Sequence, residues 1–305
     1  MTSVIVFGPT GQIGSVAAHT AFEQGANVWL AMRDTSKPIP GLDQHLNRVQ
    51  ADLSQPSTIK AAVQTSGAKR AFVYLVHGSA DHMRAAFEAL KAAGITFVVF
   101  VSSFTIPTHC AYRDIPASEG IPYVHAQAEA NLDDVFGEEN YVALRPGAFV
   151  TNLMQHAKGI AAGELELYGG GFEQDNIVPA DIGRVGGNIL VSGPKNGQRK
   201  VYLYGPQVRS IHDSIVQIGQ TLGKEINITP QDRETAYQGC LQAGLPEGMA
   251  RYMCEVLSGP GPIKTAKGER FPNYEQGVRN VEMYSGRAAM SLEEWVRENK
   301  GTLGA

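Results

Sequence analysis

Residues Val4-Ile5-Val6-Phe7-Gly8-Pro9-Thr10-Gly11-Gln12-Ile13-Gly14 constrain this chain most. A short apolar run stops at a glycine, two more glycines follow at three-residue spacing, and an amphipathic helix pattern begins. This is the pattern of a strand, a tight turn and a helix N-terminus. A helix N-terminus presents unpaired N–H groups and a positive dipole end, which suit a phosphate. The spacing is G-x-x-G-x-x-G. Gly8 permits the turn, Gly11 lets backbone approach a pyrophosphate, and Gly14 lets helix pack on strand. The expected ligand is a dinucleotide.

At 305 residues the chain is long enough for one large domain with a lobe attached, or for two small domains. Its net charge of -4 gives no reason to expect nucleic acid or an anionic membrane surface as partner. No run of eighteen apolar residues occurs, so no membrane span is expected. Cys110, Cys240 and Cys254 are widely spaced and odd in number, making neither a disulfide framework nor a metal motif. No metal is expected, and a reducing cytoplasmic compartment is the simplest reading.

The pattern predicts strands at Ser3 to Phe7, Asn27 to Met32, Asn47 to Ala51, Arg70 to Val76, Thr96 to Val101 and Tyr141 to Leu144. Helices are expected between them: Gly11 to Gln24 (with Ile13, Val16, Ala17 and Phe22 towards the sheet), Thr58 to Gln64, Asp81 to Ala93 and Tyr123 to Phe136. A loop with Pro38, Pro40 and Gly41 follows the second strand. Strands alternating with helices predict an α/β fold, a doubly wound parallel sheet of the NAD(P)-binding Rossmann type. Residues 1–150 form the cofactor domain, with later returns near 176–205, and residues 151–305 are mostly a smaller, mainly helical substrate lobe. In that half, residues 163–171 read as loop, Asp181 as a helix cap, Lys200 to Tyr204 as a strand, Ile211 to Leu222 as a helix, and Ser291 to Glu294 as a capping box.

Ligands on such sheets lie beyond the carboxyl ends of the strands. Arg33 follows the second strand, where a carboxylate would select a ribose 2′-OH; a guanidinium suits a 2′-phosphate instead. The expected cofactor is therefore NADP(H), provided that Asp34 points away. Asp52 and Leu53 follow the third strand and could line the adenine site, with Asp52 as an alternative helix cap.

The chain resembles the NmrA-like group of atypical short-chain dehydrogenase/reductases. The resemblance rests on Gly8 to Gly14, Met32-Arg33, Val101-Ser102-Ser103, His125-Ala126-Gln127-Ala128-Glu129, Leu144 to Phe149 with Asn152, Pro179 to Gly183 and Tyr204-Gly205-Pro206. It spans residues 1 to about 225 and weakens beyond. It implies cofactor contacts from Gly8, Thr10, Gly11, Gln12, Ile13, Gly14, Arg33, Asp52, Leu53, Val76, Ser102, Arg145 and Pro146. The group includes NADPH-dependent quinone, imine and enone reductases, and regulators that sense the cofactor.

Short-chain dehydrogenases generally use Ser, Tyr and Lys in Tyr-x-x-x-Lys. Here Ser103 matches the serine and Tyr123 the tyrosine, but Gln127 replaces the lysine. Glutamine can bind a ribose hydroxyl but supplies no charge to lower the phenol's pKa. His125 and Glu129, four apart on one helical face, match a His-x-x-x-Glu pattern of related quinone reductases. The expected catalytic set is thus Ser103, Tyr123, His125 and Gln127. His77, Phe149, Asn152 and Met154 are the expected wall of a small, apolar substrate. An NADPH-dependent reductase of a quinone, enone or imine leads. A non-catalytic NADP(H) sensor and a redox-neutral isomerase or cyclase are the alternatives, and a homodimer stays open.

Overall fold

A computed structural model describes residues 2–39, 42, 46–261 and 270–303, so Pro40 and Gly41 lie outside the described residues. The first half alternates as expected: β1 (Ser3–Phe7), α1 (Gln12–Glu23), β2 (Asn27–Met32), β3 (Asn47–Gln50), α2 (Pro56–Ser66), β4 (Arg70–Tyr74), α3 (Arg84–Ala92), β5 (Phe97–Val101), α4 (Ile121–Phe136) and β6 (Tyr141–Pro146). The second half contains α5 (Ala157–Ala162), β7 (Glu164–Leu167), β8 (Glu173–Gln174), α6 (Pro179–Ser192), β9 (Lys200–Leu203), β10 (Arg209–Ser210), α7 (Ile211–Leu222), β11 (Asn227–Pro230), α8 (Arg233–Gln242), α9 (Glu247–Ser258), α10 (Tyr274–Ser285) and α11 (Leu292–Glu298).

Among the described residues one seven-stranded sheet has the order β3-β2-β1-β4-β5-β6-β9, and every pairing in it is parallel. The order reverses between β1 and β4, which opens a crevice at their carboxyl ends. Two apolar layers flank the sheet. One gathers Leu30, Phe72, Val99 and Leu144 with Ala17, Ala18 and Ala21 of α1 and Ile182, Val185 and Ile189 of α6. The other gathers Ile5, Val73 and Phe100 with Ile59, Phe87 and Leu132. This is the doubly wound α/β fold that the alternation predicts.

The contact between α1 and α6 is close because α6 carries glycines one turn apart. A Cβ on Gly183 would lie 2.6 Å from the Ile13 carbonyl oxygen, and one on Gly187 would lie 2.6 Å from the Ala17 carbonyl oxygen. A third core gathers residues of the second half, including Leu153, Ile160, Ile215, Ile218, Trp295 and Val296. The expected capping box at Ser291 and Glu294 is present.

Several expectations need correction. Phe22 does not face the sheet: it is 44% exposed, since the small residues Ala17, Ala18 and Ala21 fill that side of α1. The stretch 163–171 is not all loop, because β7 pairs in parallel with β11. Asp181 does not cap its helix, because Val178 holds the cap position and Pro179 opens the first turn. Its buried carboxylate instead accepts from the Met290 N–H at 2.9 Å and pairs with Arg184. Helix α3 starts at Arg84 rather than Asp81, since Met83 has φ +67°. β4 stops at Tyr74 rather than Val76.

Candidate active site

The glycine turn has the geometry a pyrophosphate needs. Gly8 has φ +70°, a left-handed conformation that side chains disfavour. The Gly11 N–H donates to the Gly8 carbonyl at 3.1 Å. A Cβ on Gly14 would lie 2.3 Å from the Gly8 carbonyl oxygen, so only glycine lets the turn close on the helix. Helix α1 then begins without a side-chain cap. Thr10, Gly11 and Gln12 are exposed around the open N–H groups, with Ile13 half-buried beside them. These residues fit a dinucleotide phosphate.

At the adenosine end, Arg33 is exposed just beyond β2. Asp34 is occupied: its carboxylate accepts from the Ser36 N–H at 2.9 Å and from the Ser36 hydroxyl at 2.6 Å, and these bonds hold its pKa below the usual value. Asp52 is not the cap of α2, whose cap residue is Gln55. Its carboxylate accepts from the Ser54 N–H and hydroxyl, both at 2.8 Å, closing a turn just after β3. Leu53 is buried in the core under α2, so it supports this edge rather than lining it. The sequence reading missed Tyr74. Its ring lies against Gly8, and burial and Asp52 push its phenol up while Arg33 pulls it down. It is 39% exposed at the end of an otherwise buried strand, and that aromatic endpoint was the available signal.

At the other end, the exits of β4, β5 and β6 meet α4. His125 is 9% exposed, and its Nδ1 is buried without a hydrogen-bond partner. Burial, and next the neighbouring His77, pull its pKa down to about 4, so the imidazole is neutral near neutral pH. The His77 and His125 rings meet edge to face, centroids 6.5 Å apart. Val76, half-buried, directs its N–H to the Met83 sulfur at 3.3 Å.

Behind His125, one turn along α4, Glu129 is fully buried. It accepts from Ser102 Oγ at 2.5 Å, from the Tyr112 hydroxyl at 3.0 Å, and from Arg145 Nε at 3.0 Å and Nη2 at 2.7 Å. Arg145 also donates to the hydroxyls of Tyr112 at 2.8 Å and Tyr202 at 3.1 Å. Arg145 and Ser102, read from the sequence as cofactor contacts, therefore spend their side chains inside this network. A buried guanidinium needs a carboxylate, and Glu129 is that partner. Pro146 contributes backbone, its carbonyl accepting from the Phe104 N–H at 3.2 Å.

The structure does not assemble the expected Ser-Tyr-Gln constellation. Ser103 Oγ is shared with Thr105, 2.8 Å from its hydroxyl and 3.2 Å from its N–H. The Tyr123 hydroxyl bonds His82 Nε2 at 3.2 Å. Gln127 accepts from Arg113 at 3.1 Å and donates to the Tyr112 carbonyl at 2.8 Å. It anchors the turn Tyr112–Asp114 on α4, and both ends of its amide are committed there.

The expected substrate wall is also divided. His77 faces His125, whereas Phe149 packs on the main core and bridges to Ile177. Asn152 is exposed. Met154 lines a different feature, a cavity of about 610 Å³ between Gln12 and the lobe, which Arg184, Arg287 and Trp295 also border. Asp175 is a second residue missed by sequence reading. It is buried and accepts from the N–H groups of Ala148 at 2.8 Å and Gly205 at 2.9 Å, tying the loops after β6 and β9 together. Burial pushes its carboxyl up to about 7 against those bonds. An isolated acid in a polar stretch gives no sequence signal for this.

A family profile described as NAD(P)H-binding matches residues 8–186. Over 97% of the chain and 96% of the relative, the sequence is 32% identical to a nitrogen metabolite regulation-like protein, bik4, of Gibberella fujikuroi. The chain belongs to the NAD(P)H-binding family, in its NmrA-like branch. This NmrA-like chain is also 26% identical to an NAD(P)H azoreductase of Xenophilus azovorans, over 99% of both. Among solved structures it is similar to an NADPH-dependent quinone oxidoreductase of Escherichia coli complexed with NADPH (TM-score 0.73, 19% identity, 97% of this chain and 99% of that one). It is also similar to a Citrobacter triphenylmethane reductase complexed with NADP(H) (TM-score 0.72, 16% identity, 97% and 99%). Among the described residues of the NmrA-like chain, no helix is long and apolar enough to cross a membrane.

Proposed function

We propose that this NmrA-like protein is a cytoplasmic NADPH-dependent reductase of a small, apolar, conjugated substrate of the quinone, enone or imine class. Arg33 binds the 2′-phosphate, Tyr74 offers a flat face to the adenine, and the turn from Gly8 to Gly14 takes the pyrophosphate. NADPH, when bound, supplies a hydride. The carrying observation is His125, a buried neutral imidazole without a partner on Nδ1, beside His77 at the exit of β4. A neutral imidazole donates a hydrogen bond to an oxygen or nitrogen that gains charge, without delivering its own proton. The balancing proton then comes from water, since Tyr123 is held by His82 and Gln127 lends it no charge. Three free cysteines are in keeping with a reducing compartment.

The test is NADPH oxidation by purified protein across quinones, enones, imines and azo dyes. Turnover with one class and a loss of about 10²-fold in His125→Ala would support the reading. Tight NADPH binding with no oxidation by any class would overturn it. One specific observation favours a second reading, a cofactor sensor: Gln127 stands at the lysine position and serves the fold. That reading predicts discrimination between oxidised and reduced cofactor without turnover. Substrate conversion with no net NADPH loss would point instead to a redox-neutral enzyme.

A further inference from the structure

The cavity of about 610 Å³ lies between Gln12, the first residue of α1, and residues of the second half of the chain. Its volume is that of a small-molecule site. No residue of α4 lines it, and neither does His77, so it is distinct from the site around His125. Met154, Val178, Met290 and Trp295 give it an apolar wall, and all four belong to the third core or pack against it.

The charged part of the wall is held in place from behind. Asp181 is wholly buried, pairs with Arg184 and accepts from the Met290 N–H at 2.9 Å, so it ties the segment between α10 and α11 to α6. In that segment the Arg287 N–H donates to Ser285 Oγ at 3.2 Å, which fixes the Arg287 backbone. Glu298 follows Trp295 by three residues, on the same face of α11.

Four charged side chains line the cavity: Arg184, Arg287, Glu294 and Glu298. Asp181 already balances Arg184, and the Glu294 carboxylate is taken up by the N–H and hydroxyl of Ser291. Arg287 and Glu298 remain. Both are exposed, and neither side chain has an ion pair or a hydrogen bond among the described residues. A ligand with a single charge would match one of them and leave the other facing a like charge or none. A ligand with both charges on an apolar body matches the whole wall, since a guanidinium takes a carboxylate in two parallel bonds and a carboxylate takes an ammonium. We propose that this cavity binds an apolar α-amino acid, its carboxylate on Arg287, its ammonium on Glu298 and its side chain against Trp295 and Met290. The site does not depend on the reductase reading, because it shares no residue with the surroundings of His125.

The experiment is calorimetric titration of the full chain, saturated with NADPH, with L-phenylalanine, 3-phenylpropionate and phenethylamine. The second probe lacks the ammonium and the third lacks the carboxylate. L-Phenylalanine should bind at least about tenfold more tightly than either, the worth of one charge-assisted bond. Arg287→Ala and Glu298→Gln should each weaken it by about 10–100-fold, and Glu298→Gln should leave 3-phenylpropionate no weaker. Both positions are exposed, so thermal melts of the two variants should match wild type. Equal binding of L-phenylalanine and 3-phenylpropionate would make this a simple acid site and overturn the proposal. So would no binding of phenylalanine, tryptophan, methionine or leucine, or binding seen only in the absence of NADPH, which would assign the cavity to the cofactor. A protein that binds L-phenylalanine but oxidises no NADPH would sink the reductase reading alone.

Discussion

Glu129 and Arg145 face one another at the floor of the site, the carboxylate accepting two guanidinium bonds at 2.7 and 3.0 Å with both side chains almost wholly buried. The guanidinium, first, and the Ser102 hydroxyl offset the desolvation of the carboxylate, and its pKa falls below the ordinary value. Removing one member leaves the other charged in a dry setting. Glu129→Gln should therefore cost about 3–5 kcal/mol, read as a lowered urea midpoint. Ser102→Ala removes a single bond to a charged group and should cost about 1.5–3 kcal/mol. Equal losses from the two variants would count against this ranking.

The pH dependence follows from two buried groups with opposite signs. His125 binds its proton less tightly in the fold, at about 4 against 6.5. Over that interval the unfolded chain holds more protons on this group, so stability rises with pH and is fully present above 6.5. Asp175 binds its proton more tightly in the fold, at about 7 against 3.8. Its contribution is present below 3.8 and is lost as pH rises towards 7. The two slopes oppose one another between 4 and 6.5, which flattens the wild-type profile. Removing the imidazole in His125→Phe should expose a falling slope there. Direct observation of the His125 ring by NMR should show no titration between pH 6 and 8.

Cofactor selectivity should rest on Arg33. With Asp34 engaged by Ser36, Arg33→Ala should weaken NADPH by about 10–100-fold, the worth of a charge-assisted pair, and leave NADH nearly unchanged. Calorimetric titration of both cofactors measures this. Equal losses for both would assign Arg33 to the exposed surface instead.

The helix contact through Gly183 and Gly187 tolerates no added methyl without movement of backbone. Gly187→Ala should cost about 1–3 kcal/mol by overpacking, whereas Gly223→Ala tests only a left-handed turn with open space around it. Thermal melts compare the two. The Gly187 variant should also weaken NADPH binding, since α1 bears the phosphate end, while the Gly223 variant should not.

What the sequence disclosed was mostly local. The turn from Gly8 to Gly14, the strand exits at Arg33 and Ser102 and the capping box at Ser291 each need only neighbours a few residues away. Site chemistry depended on partners that no spacing announces. Gln127 is taken by Arg113 and Tyr112 of the preceding loop, and Tyr123 by His82, which lies 41 residues earlier. Arg145 read as a ligand contact because it follows a strand. Only the side-chain direction shows that it faces Glu129. Strand β7 was missed because its four residues, Glu164–Leu167, are too few to show a period.

The glycine seam between α1 and α6 also bears on how the chain comes into being. Helix α1 is synthesised well before α6, yet the surface that covers Ala17 and Thr20 is supplied by residues 183–187 of α6. Until those have left the ribosome, the phosphate-binding helix has no partner on that side. A nascent chain stopped near residue 150 should therefore expose apolar surface and engage chaperones, and cofactor affinity should emerge only after α6 is complete.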